Sequence, residues 1–293
     1  MELRVLRYFL AVVREESITR AAQALHVTQP TLSRQIMELE EEVGAPLLIR
    51  GNRNQGVMLT EKGMLLRRRA EELIELADKT QMELSREDEN LSGDIYIGGG
   101  ETQGMRLIAK TAQRLHAEYP GIRYHLFSGN ADDVKERLDK GLLDFGITIG
   151  STNLGKYKTL RLPMVDTWGL VLQKSHPLAA QKSIRPADLR GIPLLISRQT
   201  PQDTPFGAWL GDTVTHLDVV MTYNLIYNAT LMVEEGLGCA LALDGLIDTA
   251  NHGALCFRPL EPRLESNLDV SWKRMAVFNK AAQVFLDRLH ALC

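Results

Sequence analysis

The sequence lacks any apolar run approaching the ~18–20 uninterrupted residues that a membrane-spanning helix requires, so no membrane partner is expected. Cysteine is scarce. Cys239, Cys256 and Cys293 are the three in 293 residues, all late in the chain and without metal-ligand spacing. So odd and sparse a set fits a reducing cytoplasm and argues against a disulfide scaffold. The chain opens Met1-Glu2-Leu3-Arg4 and passes directly into an amphipathic pattern, so no secretory signal peptide is expected and the cytoplasm is the expected location. An excess of positive charge is also missing: 34 Lys and Arg stand against 37 Asp and Glu, a net −3. That excludes indiscriminate nucleic-acid binding by the whole molecule but not a local basic face. Arg20, Arg34, Arg50 and Arg53 fall in the first sixty residues.

Patterns that carry catalysis are absent too. Gly98-Gly99-Gly100 would need glycine or alanine at position 103 to cradle a dinucleotide, and Gln103 stands there; no Gly-Lys-Ser/Thr occurs. The seven histidines show no His-x-x-x-His spacing, and no Gly-x-Ser-x-Gly elbow is found. An enzyme has no chemistry to attach to here, and neither a metal nor a cofactor is expected. Asp132-Asp133 reads as the start of a helix, where carboxylates favour the dipole.

What is present is periodicity. Leu3, Leu6, Phe9, Leu10 and Val13 recur at helical spacing over residues 2–15. Ser17 is a natural N-cap for a short helix carrying Thr19, Arg20 and the small pair Ala21-Ala22, and His26-Val27 makes a turn. Thr28 caps a third helix that tolerates Pro30 in its first turn, buries Leu32, Ile36 and Leu39, and stops at Gly44. Its N-terminal face offers Thr28, Gln29, Thr31, Ser33 and Arg34. Gln pairs bidentately with adenine, Arg with guanine or a phosphate, and the helix N-terminus itself favours a phosphate. Leu47-Leu48-Ile49 and Val57-Met58-Leu59 bracket a polar hairpin whose Arg50 and Arg53 are placed to reach the DNA backbone or minor groove. Thr60 then caps a helix running to about Glu89. So long a helix after so small a domain cannot bury its stripe alone, and a partner chain is the simplest cover.

From Leu91-Ser92-Gly93 onward, strands and helices alternate: strands 94–98, 123–127, 145–149, 168–173, 194–197, 218–222 and 239–243, with helices at 105–118, 132–140, 227–235 and 281–292. That rhythm predicts parallel βαβ units. Ligands in such layouts sit beyond the carboxyl ends of strands. Gly100, Thr102 and Gln103 are placed to hold an anion at a helix start, with Ser128, Asn130 and Thr148 at neighbouring strand ends. Ser197, Arg198, Thr200 and Tyr223 would supply the opposing wall, and Arg198 points to an anionic effector.

Residues 8–13, 17–22, 25–36 and 39–44 closely resemble the N-terminal signature of LysR-type transcriptional regulators, and Leu59-Thr60-Glu61-Lys62-Gly63 matches that family's entry to its linker helix. Two places depart from the pattern. Leu48 stands where the family has Phe, and Arg50-Gly51-Asn52-Arg53-Asn54 replaces its Arg-x-Gly-Arg wing. The resemblance implies an α/β chain with an N-terminal winged helix-turn-helix over 1–60, a linker and dimerisation helix over 61–90, and a C-terminal two-subdomain, periplasmic-binding-protein-like (type 2) effector domain over 91–293. Subdomain I would comprise about 91–163 and 268–293, subdomain II about 164–267, with crossovers near Leu162–Asp166 and Leu264–Asp269. It further implies a homodimer or homotetramer on double-stranded promoter DNA, with Ser17, Thr19, Arg20, Thr28, Gln29, Pro30, Thr31, Ser33, Arg34, Arg50 and Arg53 facing the duplex and a coinducer between the subdomains. Two other classes remain: a solute-binding protein, suggested by residues 92–293 alone, and an enzyme with an appended DNA-binding domain.

Overall fold

The structure, a computed structural model, describes residues 1–50, 56–84, 91–149, 155–198, 205–211, 217–249 and 253–293, with only the backbone of Arg50 and of 82–84. By contacts the chain divides into Met1–Ser85 and Arg86–Cys293.

The first unit runs α1 (Leu3–Glu15), α2 (Ile18–Ala24), α3 (Gln29–Val43), β1 (Leu48–Arg50), β2 (Val57–Leu59) and α4 (Glu61–Leu84). Its core takes Phe9 from the expected α1 stripe and the whole expected α3 stripe, whereas Leu3 is exposed and Val12, outside the expected stripe, is buried. Phe9 and Val12 of α1, Ala21 and Ala22 of α2, and Leu32, Ile36 and Leu39 of α3 bury against Leu47. Truncating any of the larger ones to Ala would cost about 2–5 kcal/mol. The small pair lets α2 approach its neighbours closely. His26 takes a left-handed φ of 55° between α2 and α3, and Val27 N–H closes the turn on Ala22 O at 3.0 Å. Ser17 and Thr28 cap their helices, accepting from Arg20 N–H and Thr31 N–H at 3.3 Å each, and Gly44 ends α3 at φ 70°.

The start of α4 is locked to the entry of β1. Thr60 donates its N–H to Leu47 O (3.0 Å) and its hydroxyl to Pro46 O (2.9 Å), while that hydroxyl accepts from Gly63 N–H (2.9 Å). The approach is so close that a Cβ on Gly63 would lie 2.1 Å from Leu47 O.

The second unit holds one mixed sheet. β3 (Gly93–Gly99), β4 (Ile122–Ser128) and β5 (Phe145–Ile149) pair in parallel, joined through α5 (Met105–Glu118) and α6 (Ala131–Asp139). β7 (Pro193–Ser197), β8 (Asp218–Tyr223) and β9 (Cys239–Leu243) form a second parallel set with α7 (Pro205–Leu210) and α8 (Ile226–Glu234). Two long strands join the sets: β6 (Tyr157–Gln173) and β11 (Glu265–Lys273) pair with each other antiparallel, giving the order β4-β3-β5-β11-β6-β9-β7-β8. β10 (Leu255–Pro259) pairs with β6, and α9 (Lys280–His290) returns to pack on the first set.

The expectation of parallel units is therefore corrected at the joins, because a chain that leaves one half and comes back must lay its outgoing and returning strands in opposite directions. The strand expected at 168–173 is the second part of a 17-residue strand. Its first part reads as loop because Pro163 interrupts it. Pro163 lies in a register irregularity, where Arg161 faces Asp269 and the next paired residue, Val165, faces Asn267. A residue without an N–H is tolerated there. β10 and β11 were not anticipated, although Leu268, Val270 and Trp272 alternate into the core of the first half.

Each half has its own core. Ile95, Ile97, Phe145, Ile147 and Phe285 centre the first. In the second, Leu170 and Leu172 bury on one sheet face with Leu241, while Val171 buries on the other with Ala240, Ala229 and Val233. Both faces are covered, which is why these strands read as continuous apolar runs.

Gly63→Ala is expected to destabilise the first unit by about 2 kcal/mol or more, because the overlap outweighs the ~1 kcal/mol that Ala gains as a helix former. Denaturant unfolding of the full chain checks this; an increase in stability would contradict the close approach.

Candidate functional site

Two sites are described, one in each unit. In the first, α3 projects its N-terminal face. Thr28, Gln29, Pro30, Thr31 and Arg34 are exposed, as is Thr19 on α2, and Ser33 is half-buried. The hydroxyls of Thr28 and Thr31 share a hydrogen bond of 2.8 Å. Arg34 lies 3.6 Å from Glu38 in an exposed ion pair one turn on. An exposed pair of this kind is worth about 0–1 kcal/mol, so the guanidinium is released to a base edge at little cost. Ser17 is occupied as a cap. Arg20 donates from Nε and one terminal nitrogen to Glu15 O, which leaves three of its five N–H groups for a phosphate. Arg50 is described only in its backbone, paired with Val57, and Arg53 lies outside the described residues.

Glu40 was not singled out in the sequence. Its carboxylate accepts from Leu47 N–H at 2.7 Å and Leu48 N–H at 3.0 Å, tying the far end of α3 to β1. A glutamate among Glu38, Glu40, Glu41 and Glu42 reads as a solvated face, and no local pattern separates this one from its neighbours.

In the second unit a cleft of about 70 Å³ opens where the two halves of the sheet meet. Gly100, Asn130, Ser197 and Tyr223 line it, together with Glu101, Trp168 and Asn224. Ile149, Ile226, Leu243 and Leu246 supply apolar wall. The remaining expected residues are placed otherwise. Thr102 is buried: its hydroxyl donates to Asp166 and accepts from Gly104 N–H at 3.0 Å. The nearby Gln103 N–H favours the charged Asp166 carboxylate as well. The helix start expected to receive an effector's anion is thus filled by a carboxylate of the chain itself. Gln103 donates its side-chain amide to Gly245 O on the opposite half. Thr148 is buried against Asp269 O and Ser271. Ser128 ends edge strand β4 and Arg198 is exposed; neither lines the cleft, and Arg198 contributes its backbone N–H to Tyr223 O at 3.0 Å. Thr200 lies outside the described residues.

Within the cleft, Glu101 accepts from Ile226 N–H at the start of α8, so a side chain of one half caps a helix of the other. Trp168 donates its indole N–H to Ser266 at 2.8 Å, and Tyr223 donates its hydroxyl to Leu241 O. Burial, reinforced by Glu101 nearby, raises the Tyr223 pKa. Asn130 is the N-cap of α6, accepting from Asp132 N–H and Asp133 N–H in a reciprocal capping box. Asp166 is pushed above its ordinary 3.8 by burial, against the opposing hydrogen bonds from Thr102 and Gln103 N–H.

A helix-turn-helix carrying a polar recognition face, joined in one chain to a two-lobed domain with a cleft at the lobe boundary, defines a ligand-responsive DNA-binding regulator. Residues 3–64 match the family described as bacterial regulatory helix-turn-helix protein, lysR family, and residues 88–293 match the LysR substrate binding domain. The chain belongs to the LysR family of transcriptional regulators. It is similar to the Hca operon transcriptional activator HcaR of Escherichia coli strain K12, 31% identical over 94% of this chain and 92% of that one. It is also similar to the HTH-type regulator YvbU of Bacillus subtilis strain 168, 27% identical over 98% and 97%. Among solved structures, the LysR family regulator CbnR shares the fold with a TM-score of 0.77 at 18% identity over 100% of this chain and 99% of that one. CbnR has also been solved full-length in complex with its target DNA, at a TM-score of 0.74. Among the described residues no helix is long and apolar enough to cross a membrane, and no group of His, Cys, Asp and Glu has the arrangement of a metal site.

Asp166 sets a pH dependence. Its folded pKa lies above the unfolded value, so its charge destabilises the fold above the folded pKa, and that cost disappears as pH falls towards 3.8. Asp166→Asn, which keeps an oxygen for Thr102 and Gln103 N–H, should raise the melting temperature at about pH 7, with the gain shrinking towards about pH 4. Thermal melts across that range check it; a pH-independent difference would remove the ionised carboxylate as the cause.

Proposed function

We propose that this chain regulates transcription in the cytoplasm by reading promoter DNA with the N-terminal face of α3 and by sensing a small molecule in the cleft of its C-terminal domain. The observation that carries the reading is the exposed face of Thr28, Gln29, Pro30, Thr31 and Arg34 at the free N-terminus of a helix held on a closed core. The helix dipole at that end favours a phosphate, while Gln29, Ser33 and Arg34 address base edges. Thr19 and Arg20 flank that face on α2, and Ser17 acts through the cap that sets α2. Arg50 and Arg53 serve as backbone or minor-groove contacts in the hairpin.

No reaction is assigned to the chain; the cleft presents no nucleophile–base pair among its described lining residues. Domain limits of 1–60, 61–90 and 91–293 suit this division of labour, with subdomain I formed by about 91–163 and 268–293 and subdomain II by about 164–267. A homo-oligomer is supported by α4. Leu65, Leu73 and Leu76 are exposed on this helix and, at 100° per residue, fall within roughly 80° of one another. Such a stripe suits a second copy of the same helix.

A gel-shift with the chain's own upstream DNA tests the reading, and a sequence-selective shift at moderate salt is expected. No selective shift by folded protein would return the solute-binding and enzyme alternatives. Arg34→Ala should lower discrimination by about 1–3 kcal/mol per lost base contact; undiminished selectivity would show that Arg34 reads no base. Leu65→Lys with Leu73→Lys should halve the mass seen in sedimentation equilibrium. An unchanged mass would place the subunit interface elsewhere.

A further inference from the structure

Resting on the reading of the cleft as the effector site, we infer that its ligand is a small organic ammonium ion with a short apolar body, received by Glu101. Glu101 is the sole charged side chain among the described residues that line the cleft. One of its oxygens accepts from Ile226 N–H, and the other has no partner among the described residues. Three of the donors that would hold a carboxylate are already committed. Ile226 N–H serves Glu101, the Trp168 indole N–H serves Ser266, and the Tyr223 hydroxyl serves Leu241 O. The two side chains that best suited an anion in the sequence, Thr102 and Arg198, do not line the cleft. Thr102 is spent on Asp166.

An anion would therefore enter beside a like charge, with those three donors engaged elsewhere, in a space partly shielded from water. A like charge disfavours it and an unsatisfied polar group compounds the cost. An ammonium meets the reverse. It finds an open carboxylate oxygen for a charge-assisted hydrogen bond, and Trp168 nearby as an aromatic neighbour for a cation. Ile149, Leu243 and Leu246 then cover a short hydrocarbon.

Full-length protein is titrated with n-butylammonium, n-butanol and butyrate at matched ionic strength, reading thermal stabilisation as saturable binding. Butylammonium is expected to bind at least about tenfold more tightly than butyrate, the scale of one charge-assisted hydrogen bond. Glu101→Gln, which keeps an oxygen for Ile226 N–H, should erase that preference. Glu101→Ala, which frees the N–H, should strengthen butyrate. The comparison in the parent chain needs no substitution to decide it. Butyrate binding as tightly as butylammonium, or a preference unchanged in Glu101→Gln, overturns the inference while leaving the cleft reading in place. Absence of saturable binding by all three overturns the inference and the cleft reading together.

Discussion

Everything in the C-terminal domain depends on the antiparallel ladder between β6 and β11. The chain passes from one half to the other and back, and these two strands carry both passages. Their pairing runs from Tyr157 opposite Lys273 to Thr167 opposite Glu265, after which β6 continues alone to pair with β9 and β10. Arg161 clasps the buried Asp269 across the ladder just before the register breaks. On the far side of the break, Asp166 reaches back to the start of α5 through Thr102. The cleft is the space left where two parallel sets of strands are held by a ladder too narrow to fill the gap between them. Its floor is therefore backbone under strong restraint, whereas its walls belong to separate cores.

That separation gives the cross-cleft contacts their weight. Glu101 caps α8, and the Gln103 amide meets the carbonyl of Gly245, whose φ of 71° turns it into reach. The first joins a loop of one half to a helix start of the other, and the second joins two loops. Beside the β6–β11 ladder that joins the halves, these are polar contacts that a bound molecule can replace or reinforce.

Much of the first unit was legible in the sequence because its signals are local. Caps at Ser17 and Thr28, the stop at Gly44 and the stripe of Leu32, Ile36 and Leu39 act within one or two turns, and the structure has each where the pattern put it. The second unit was legible in its helices and short buried strands and not in its joins. Pro163 disguised the first part of β6, since a proline in a strand is read as a break unless the partner's register is known. The cleft was half legible. Strand ends indicated Gly100, Asn130, Ser197 and Tyr223, but Glu101 and Trp168 depend on how the two halves face each other. Thr102 lies off the cleft lining, and its partner, Asp166, 64 residues away, leaves no trace beside it in the sequence.

The carboxylate of Glu40 bears on the duplex as well as on the protein. By holding the N–H groups of Leu47 and Leu48 from the C-terminal half of α3, it restrains the distance between the reading helix and the start of β1. A rigid caliper cannot adapt its jaws to each site. When groove width at a site differs from that fixed span, the DNA must bend or narrow to meet it, at an elastic cost that depends on the intervening bases. Base pairs that no side chain touches would then count towards which sites are occupied.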